Sequence, residues 1–198
     1  MQHKFPLYLE HAIKNWADRA YAAPAPQCVK QAVLFRNNLN NATWIETGTY
    51  LGDTTEFLSL SSSFVHTIEP EPELYSRAKQ RFIEFQNIKV HNEISEIILP
   101  QLLPTLSGNV CFWLDGHYSG GNTFAGPHDT PLRIELKLIS ENLHRFSDTV
   151  ILIDDIRLCG KLHIYGEYPS LNELTDFANQ NNLIWQIEHD ILILKSQR

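Results

Sequence analysis

From Thr43 onward the chain alternates short apolar runs with longer stretches whose apolar positions recur every three or four residues, the pattern of strands followed by helices. The strands are read at Trp44 to Glu46, Val65 to Ile68, Ile88 to His91, Val110 to Leu114 and Val150 to Ile153. The helices after them are read at Thr54 to Leu60, Pro72 to Phe85, Ser95 to Leu103, Leu132 to Leu143 and Ser170 to Asn181. Such a succession of strand–helix units implies an α/β fold, a parallel sheet with helices on both faces. The chain closes differently. Leu183 to Glu188 and Ile191 to Leu194 are joined only by His189 and Asp190, too short for a crossover, so they must form an antiparallel hairpin. Ahead of the sheet, Leu7, Ile13, Trp16, Ala17, Ala20 and Tyr21 mark an imperfect amphipathic helix over residues 7–21, broken by Ala22 to Pro26. A second helix, Gln27 to Asn38, precedes the first strand, with Asn37 to Asn41 as the turn between them. These helices are expected to cover a sheet edge or the mouth of a site. The reading is one domain over residues 1–198, with N-terminal helices in 1–41 and a doubly wound, Rossmann-like core in 42–198.

Within this frame Trp44-Ile45-Glu46-Thr47-Gly48-Thr49-Tyr50-Leu51-Gly52-Asp53-Thr54-Thr55 runs from a strand through a glycine-bearing turn into a helix start. Gly48 would let the backbone approach a ligand or take a positive φ, and Gly52 would let the following helix pack closely on the strand. The next strand, Phe64 to Ile68, ends in Glu69, about 20 residues beyond the first glycine, where a carboxylate can accept hydrogen bonds from both ribose hydroxyls. The two signals together predict a site for an adenosine-type cofactor. Tyr50 stands where the dinucleotide fingerprint has its middle glycine, which argues against NAD or FAD because that glycine admits the pyrophosphate. Glu46 would repel a phosphate yet could orient a cationic or amino-acid-bearing ligand. S-adenosylmethionine satisfies both conditions.

On these residues the chain resembles the class I S-adenosylmethionine-dependent methyltransferases, and Ile45 to Thr55 is especially similar to the first motif of the metal-dependent catechol-type O-methyltransferases. The resemblance spans Thr43 to Leu194 and implies a seven-stranded sheet of order 3-2-1-4-5-7-6 with strand 7 antiparallel. It implies that Glu46, Gly48, Thr49, Tyr50, Gly52, Thr54 and Glu69 hold the methyl donor. Pro70 would pack beside the adenine, and Ser95 and Asp115 would touch the cofactor.

Two acidic signals fall at strand ends. Cys111 to Leu114 leads into Asp115, and Val150 to Ile153 leads into Asp154 and Asp155. In an open α/β sheet, chemistry collects outside the carboxyl ends of the strands. Three carboxylates on one rim repel unless a cation, a proton or a basic group lies between them, and Mg²⁺ is the simplest such cation. The alternative is that Asp115 contacts the cofactor or a backbone amide while Asp154 and Asp155 cap loops. The resemblance favours the metal: in catechol-type and macrolide-sugar O-methyltransferases such motifs hold it, and they fall onto Asp115, Asp154 and Asp155. The sugar-type enzymes have an aspartate two residues after the first ligand, proposed as general base, where this chain has His117. An imidazole of pKa near ~6.5 can take a hydroxyl proton at neutral pH; His117 could equally bind metal or substrate, or be structural. No lysine follows Asp115 closely, so the catechol-type lysine base finds no match here.

The stretch Tyr118 to Thr130 is long, glycine-rich and polar, as lids and binding loops are, with Tyr118 and Phe124 offering an apolar wall. His128 and Asp129 could join the metal site, but Asp129 or Thr130 as N-cap before Pro131 at the first helical position is the simpler use. A second long connection, Ile156 to Pro169, carries Arg157, Lys161 and His163, cations that could anchor an acidic substrate group or stand in solvent.

Composition narrows the partners. A net charge of −7 with only scattered Lys and Arg disfavours nucleic acid and anionic membranes, which leaves a small-molecule acceptor. The N-terminus has no apolar export core and no run reaches the roughly 18 apolar residues of a span, so a cytoplasmic protein is expected. Cys28, Cys111 and Cys159 form no CxxC pair and are read as reduced thiols. A homodimer is compatible with all of this. The principal expectation is therefore Mg²⁺-dependent O-methylation of a small hydroxylated molecule. Its alternatives are a non-catalytic S-adenosylmethionine-binding protein of the same fold and a metal-dependent hydrolase or transferase using Asp115, His117, His128, Asp154 and Asp155.

Overall fold

The computed structural model describes residues 6–116, 130–160 and 168–197. Its helices are α1 (Leu7–Asp18), α2 (Gln27–Arg36), α3 (Asp53–Ser59), α4 (Pro72–Arg81), α5 (Ser95–Leu102), α6 (Leu132–Asn142) and α7 (Leu171–Gln180). Its strands are β1 (Thr43–Thr47), β2 (Phe64–Ile68), β3 (Ile88–His91), β4 (Gly108–Leu114), β5 (Phe146–Ile153), β6 (Leu183–Glu188) and β7 (Ile191–Ser196). They form one sheet of order β3-β2-β1-β4-β5-β7-β6, parallel except for β7, which runs antiparallel to β5 and β6. This is the expected Rossmann-like architecture and strand order.

Strand alternation divides the core into two layers. Ile45, Phe112, Leu114, Ile151, Ile153 and Leu194 face Leu99 of α5, Leu136 and Ile139 of α6, and Leu174 and Ala178 of α7. Trp44, Val65, Cys111, Trp113, Leu152 and Ile193 face Val33 and Leu34 of α2 and Leu58 of α3. Burying each side chain of this size contributes about 2 kcal/mol, so the two layers hold the sheet between the helices. Every odd or even strand position therefore has a fixed side, including the polar residues where the strands end.

The elements differ from expectation mainly at their ends. Helix α1 stops at Asp18 because Ala20 and Tyr21 take left-handed backbone, φ 53° and 60°. Helix α4 stops at Arg81 rather than running on to Phe85. β4 and β5 begin earlier, since Gly108 and Phe146 are already paired. Helix α6 begins at Leu132, with Pro131 in the N-cap place, and the Thr130 Oγ1 accepts the Leu132 N–H at 3.3 Å. Proline thus precedes the first helical residue instead of being it; Asp129 lies outside the described residues. Among the described residues no helix is long and apolar enough to cross a membrane.

Candidate functional site

At the carboxyl end of β1 the chain turns sharply. Gly48 has φ +89°, and a Cβ there would stand 2.8 Å from the Asp115 carbonyl oxygen, so this glycine lets the turn pass against the end of β4. Gly52 has φ +86°, and its missing Cβ makes room for the Phe82 ring, 2.7 Å from where it would be. The sequence reading put Gly52 between its own helix and the strand; the structure puts it against the residue that ends α4.

The Tyr50 N–H donates to Glu69 Oε2 at 2.8 Å, and the Glu71 N–H donates to Glu69 Oε1 at 3.0 Å. Glu69 is thereby fixed between the glycine turn and the start of α4, with Pro70 half-buried beside it and Asn92 Nδ2 on its carbonyl oxygen at 3.0 Å. Burial raises the Glu69 pKa, and the two N–H donors pull it back. Each carboxylate oxygen has a second lone pair, so hydroxyl donors can still reach it. Arg81 clamps the other side of the turn, donating to the Leu51 carbonyl, to Asp53 at 2.8 Å and to Glu56 at 2.6 Å.

Glu46 is wholly buried. Its Oε2 accepts from the Thr55 and Thr67 hydroxyls, the latter at 2.7 Å, and Thr67 shares a hydrogen bond with Thr49 at 2.5 Å. Burial pushes its pKa up to about 7 against the pull of the two threonines. Its Oε1 has no hydrogen-bond partner among the described residues. One oxygen thus belongs to the scaffold. Thr54 Oγ1 accepts from Gln27 Nε2 at 2.8 Å, which ties α2 to α3. Ser95, the first residue of α5, is buried and hydrogen-bonds Glu96 at 3.2 Å.

The three aspartates come together. One oxygen from each of Asp115, Asp154 and Asp155 lies within 4.8 Å of the others. Register explains this for the first pair: Trp113 faces Leu152 across β4 and β5, and Asp115 and Asp154 follow each by two positions, on the same side. That side is the one α2 covers. Lys30 lies one turn before the fully buried Val33 and Leu34, so its stem runs over the same surface and delivers Nζ to the aspartates. Lys30 Nζ contacts Asp154 Oδ2 and lies 3.8 Å from Asp155 Oδ1. Arg157 holds the other flank, bridging Asp155 and Asp190. Asp155 itself has left-handed backbone, φ 55°. Burial and then Asp154 push the Asp115 pKa well up, while Lys30 pulls it down; Asp154 is raised by burial against the pull of Lys30. Three carboxylates alone would suit a hard divalent cation. Here an ammonium already stands beside two of them.

Two residues here had not been singled out. Lys30 was legible only as a lone cation on the apolar stripe of its helix. Glu135, buried at the start of α6, lies beside Thr47 and Ser95 with its pKa pushed up to about 7 by burial. Cys159 is half-buried, and burial followed by Asp190 raises it to about 11, away from a reactive thiolate. His117, the expected base, lies outside the described residues, as do Tyr118 to Asp129 with His128, and Lys161 and His163.

No protein-family model matches the chain, and no curated protein matches it in sequence. Solved structures do match in shape. The O-methyltransferase TomG from Streptomyces achromogenes, involved in tomaymycin synthesis and solved with S-adenosylmethionine, is 18% identical, with a TM-score of 0.55 over 99% of this chain and 92% of its own. The 23S rRNA methyltransferase ErmE is 14% identical, with a TM-score of 0.56 over 87% and 68%. An S-adenosylmethionine-dependent methyltransferase from Aquifex aeolicus is 16% identical, with a TM-score of 0.51 over 83% and 87%. With the sheet order, these likenesses define the fold as that of the class I methyltransferases.

Proposed function

We propose that this chain is an S-adenosylmethionine-dependent methyltransferase that methylates an oxygen of a small hydroxylated molecule. The observation that carries the proposal is the Glu69 carboxylate held by the Tyr50 amide, which fixes an acidic ribose acceptor on the glycine turn beside it. In this reading Glu69 accepts from the ribose hydroxyls, and Gly48, Thr49 and Tyr50 form the wall of the donor site. Gly52 and Thr54 set the helix that follows. The orphan Glu46 Oε1 offers an acceptor to the donor's amino group, while Pro70 and Ser95 border the adenine. Asp115, whose carbonyl packs against Gly48, links the donor site to the acceptor site.

S-adenosylmethionine supplies an electrophilic methyl group. With the donor bound, the acceptor oxygen would take its methyl group, the sulfur would leave with the C–S bonding pair, and the hydroxyl proton would pass to a base, which is the role proposed for His117. The chain's part is to hold the two reactants in line and to receive the proton. No step is assigned to Mg²⁺, because Lys30 already stands among Asp115, Asp154 and Asp155. A net charge of −7 supports a small acceptor over RNA. The test is methyl transfer from tritiated S-adenosylmethionine to a panel of catechols, sugars and other alcohols, with an RNA control. Label on a hydroxylated small molecule supports the proposal; label on RNA alone, or none with any acceptor, contradicts it.

A further inference from the structure

We propose that Lys30 is the built-in cation of the aspartate cluster and takes the place that a divalent metal would occupy, so that the acceptor site works without one. Asp115, Asp154 and Asp155 need a positive neighbour, since three like charges so close together repel one another where water screens them little. The side chains of Lys30, Asp154 and Asp155 are only 15%, 0% and 10% exposed, so solvent does little to supply it. An ammonium has three N–H donors to set against these acceptors. It contacts Asp154 Oδ2 and stands 3.8 Å from Asp155 Oδ1, and the field of Asp115 acts on it as well. A hard divalent ion would have to approach the carboxylate oxygens to about 2.0–2.6 Å, and would meet the ammonium at repulsive range. The lysine cannot be shed cheaply, because its side chain is mostly covered and α2 is anchored by Val33 and Leu34, both fully buried.

The arrangement also prepares a place for an acceptor. With Asp154 Oδ2 on Lys30, the buried Oδ1 has no hydrogen-bond partner among the described residues and can receive a hydroxyl. The ammonium beside it stabilises negative charge as that hydroxyl loses its proton. This last role rests on the methyltransferase reading; the identity of the cation does not.

The test is a Mn²⁺ titration of the whole chain, with free ion followed by electron paramagnetic resonance and no methyl donor present. The wild-type chain is expected to bind no Mn²⁺ at submillimolar concentration. Lys30→Met, which keeps the apolar stem and removes the charge, should bind at least tenfold more tightly, and adding Asp154→Asn should abolish the gain. Submillimolar binding by the wild type that Asp154→Asn removes would overturn the proposal, as would a folded Lys30→Met chain with no gain. Should Lys30→Met not fold, the wild type decides alone. A melting temperature unchanged by Mg²⁺ or a chelator is expected, and a rise with Mg²⁺ that Asp115→Asn abolishes overturns it. Failure here leaves methyl-donor binding untouched, and failure to bind the donor leaves the lysine's place in the cluster untouched.

Discussion

The backbone N–H of Tyr50 donates to Glu69 Oε2 across 2.8 Å, joining the turn after β1 to the residue that directly follows β2. Tyr50 has left-handed backbone, φ 50°, which aims the N–H at the carboxylate, and the side chain stands out in solvent. Glu69→Gln leaves an amide facing two N–H donors that need acceptors, so at least one is mispaired. The expected result is a loss of at least tenfold in affinity for S-adenosylmethionine by calorimetry, with the fold retained by circular dichroism.

Gly48→Ala should be costlier than Gly52→Ala. Both positions have φ near +90°, but at Gly48 the added carbon meets backbone at 2.8 Å, whereas at Gly52 it meets the Phe82 ring. The expected loss for Gly48→Ala is about 3 kcal/mol or more, combining backbone strain and overpacking. Phe82→Leu should recover part of the Gly52→Ala loss and none of the Gly48→Ala loss, measured by urea unfolding.

Glu46 and Glu135 make the fold sensitive to rising pH. Both carboxyls are raised from 4.5 to about 7 in the folded chain, so the native state holds protons that the unfolded state releases. Each contribution is favourable at low pH and is lost as pH rises from 4.5 through 7, by up to about 3 kcal/mol per group. Glu46→Gln and Glu135→Gln should each flatten this decline in urea unfolding across the window. An unchanged slope would contradict the burial argument.

The His66 and His91 rings give the opposite slope. His66 Nδ1 and His91 Nε2 are 3.0 Å apart, and desolvation by burial lowers both groups from 6.5 to about 4. The folded chain keeps them neutral where the unfolded chain is charged, so their contribution is lost as pH falls from 6.5 through 4. His66→Phe should reduce that acid-side loss in the same titration.

The strand–helix alternation made the parallel α/β class legible, and the two-residue link at His189 and Asp190 forces the last reversal; the full strand order came only with the family resemblance carried by Ile45 to Thr55. Element ends were less legible: α1 stops where Ala20 and Tyr21 adopt a conformation their side chains do not advertise. Asp115, Asp154 and Asp155 could be placed on one rim because Asp115 directly follows one strand and the Asp154–Asp155 pair directly follows another. Lys30 could not, because its partner Asp154 is 124 residues away along the chain and only the packing of α2 on β1, β4 and β5 joins them. The expectation of a divalent metal weighed the three carboxylates without the Lys30 ammonium that stands beside Asp154 and Asp155.

The central claim is that the turn from Gly48 to Gly52 and Glu69 hold S-adenosylmethionine. Isothermal titration of the wild-type chain with S-adenosylmethionine and S-adenosylhomocysteine, with and without Mg²⁺, tests it most directly. The account predicts binding near micromolar for both ligands, unchanged by Mg²⁺ and weakened at least tenfold in Glu69→Gln; absence of binding to either ligand would contradict it.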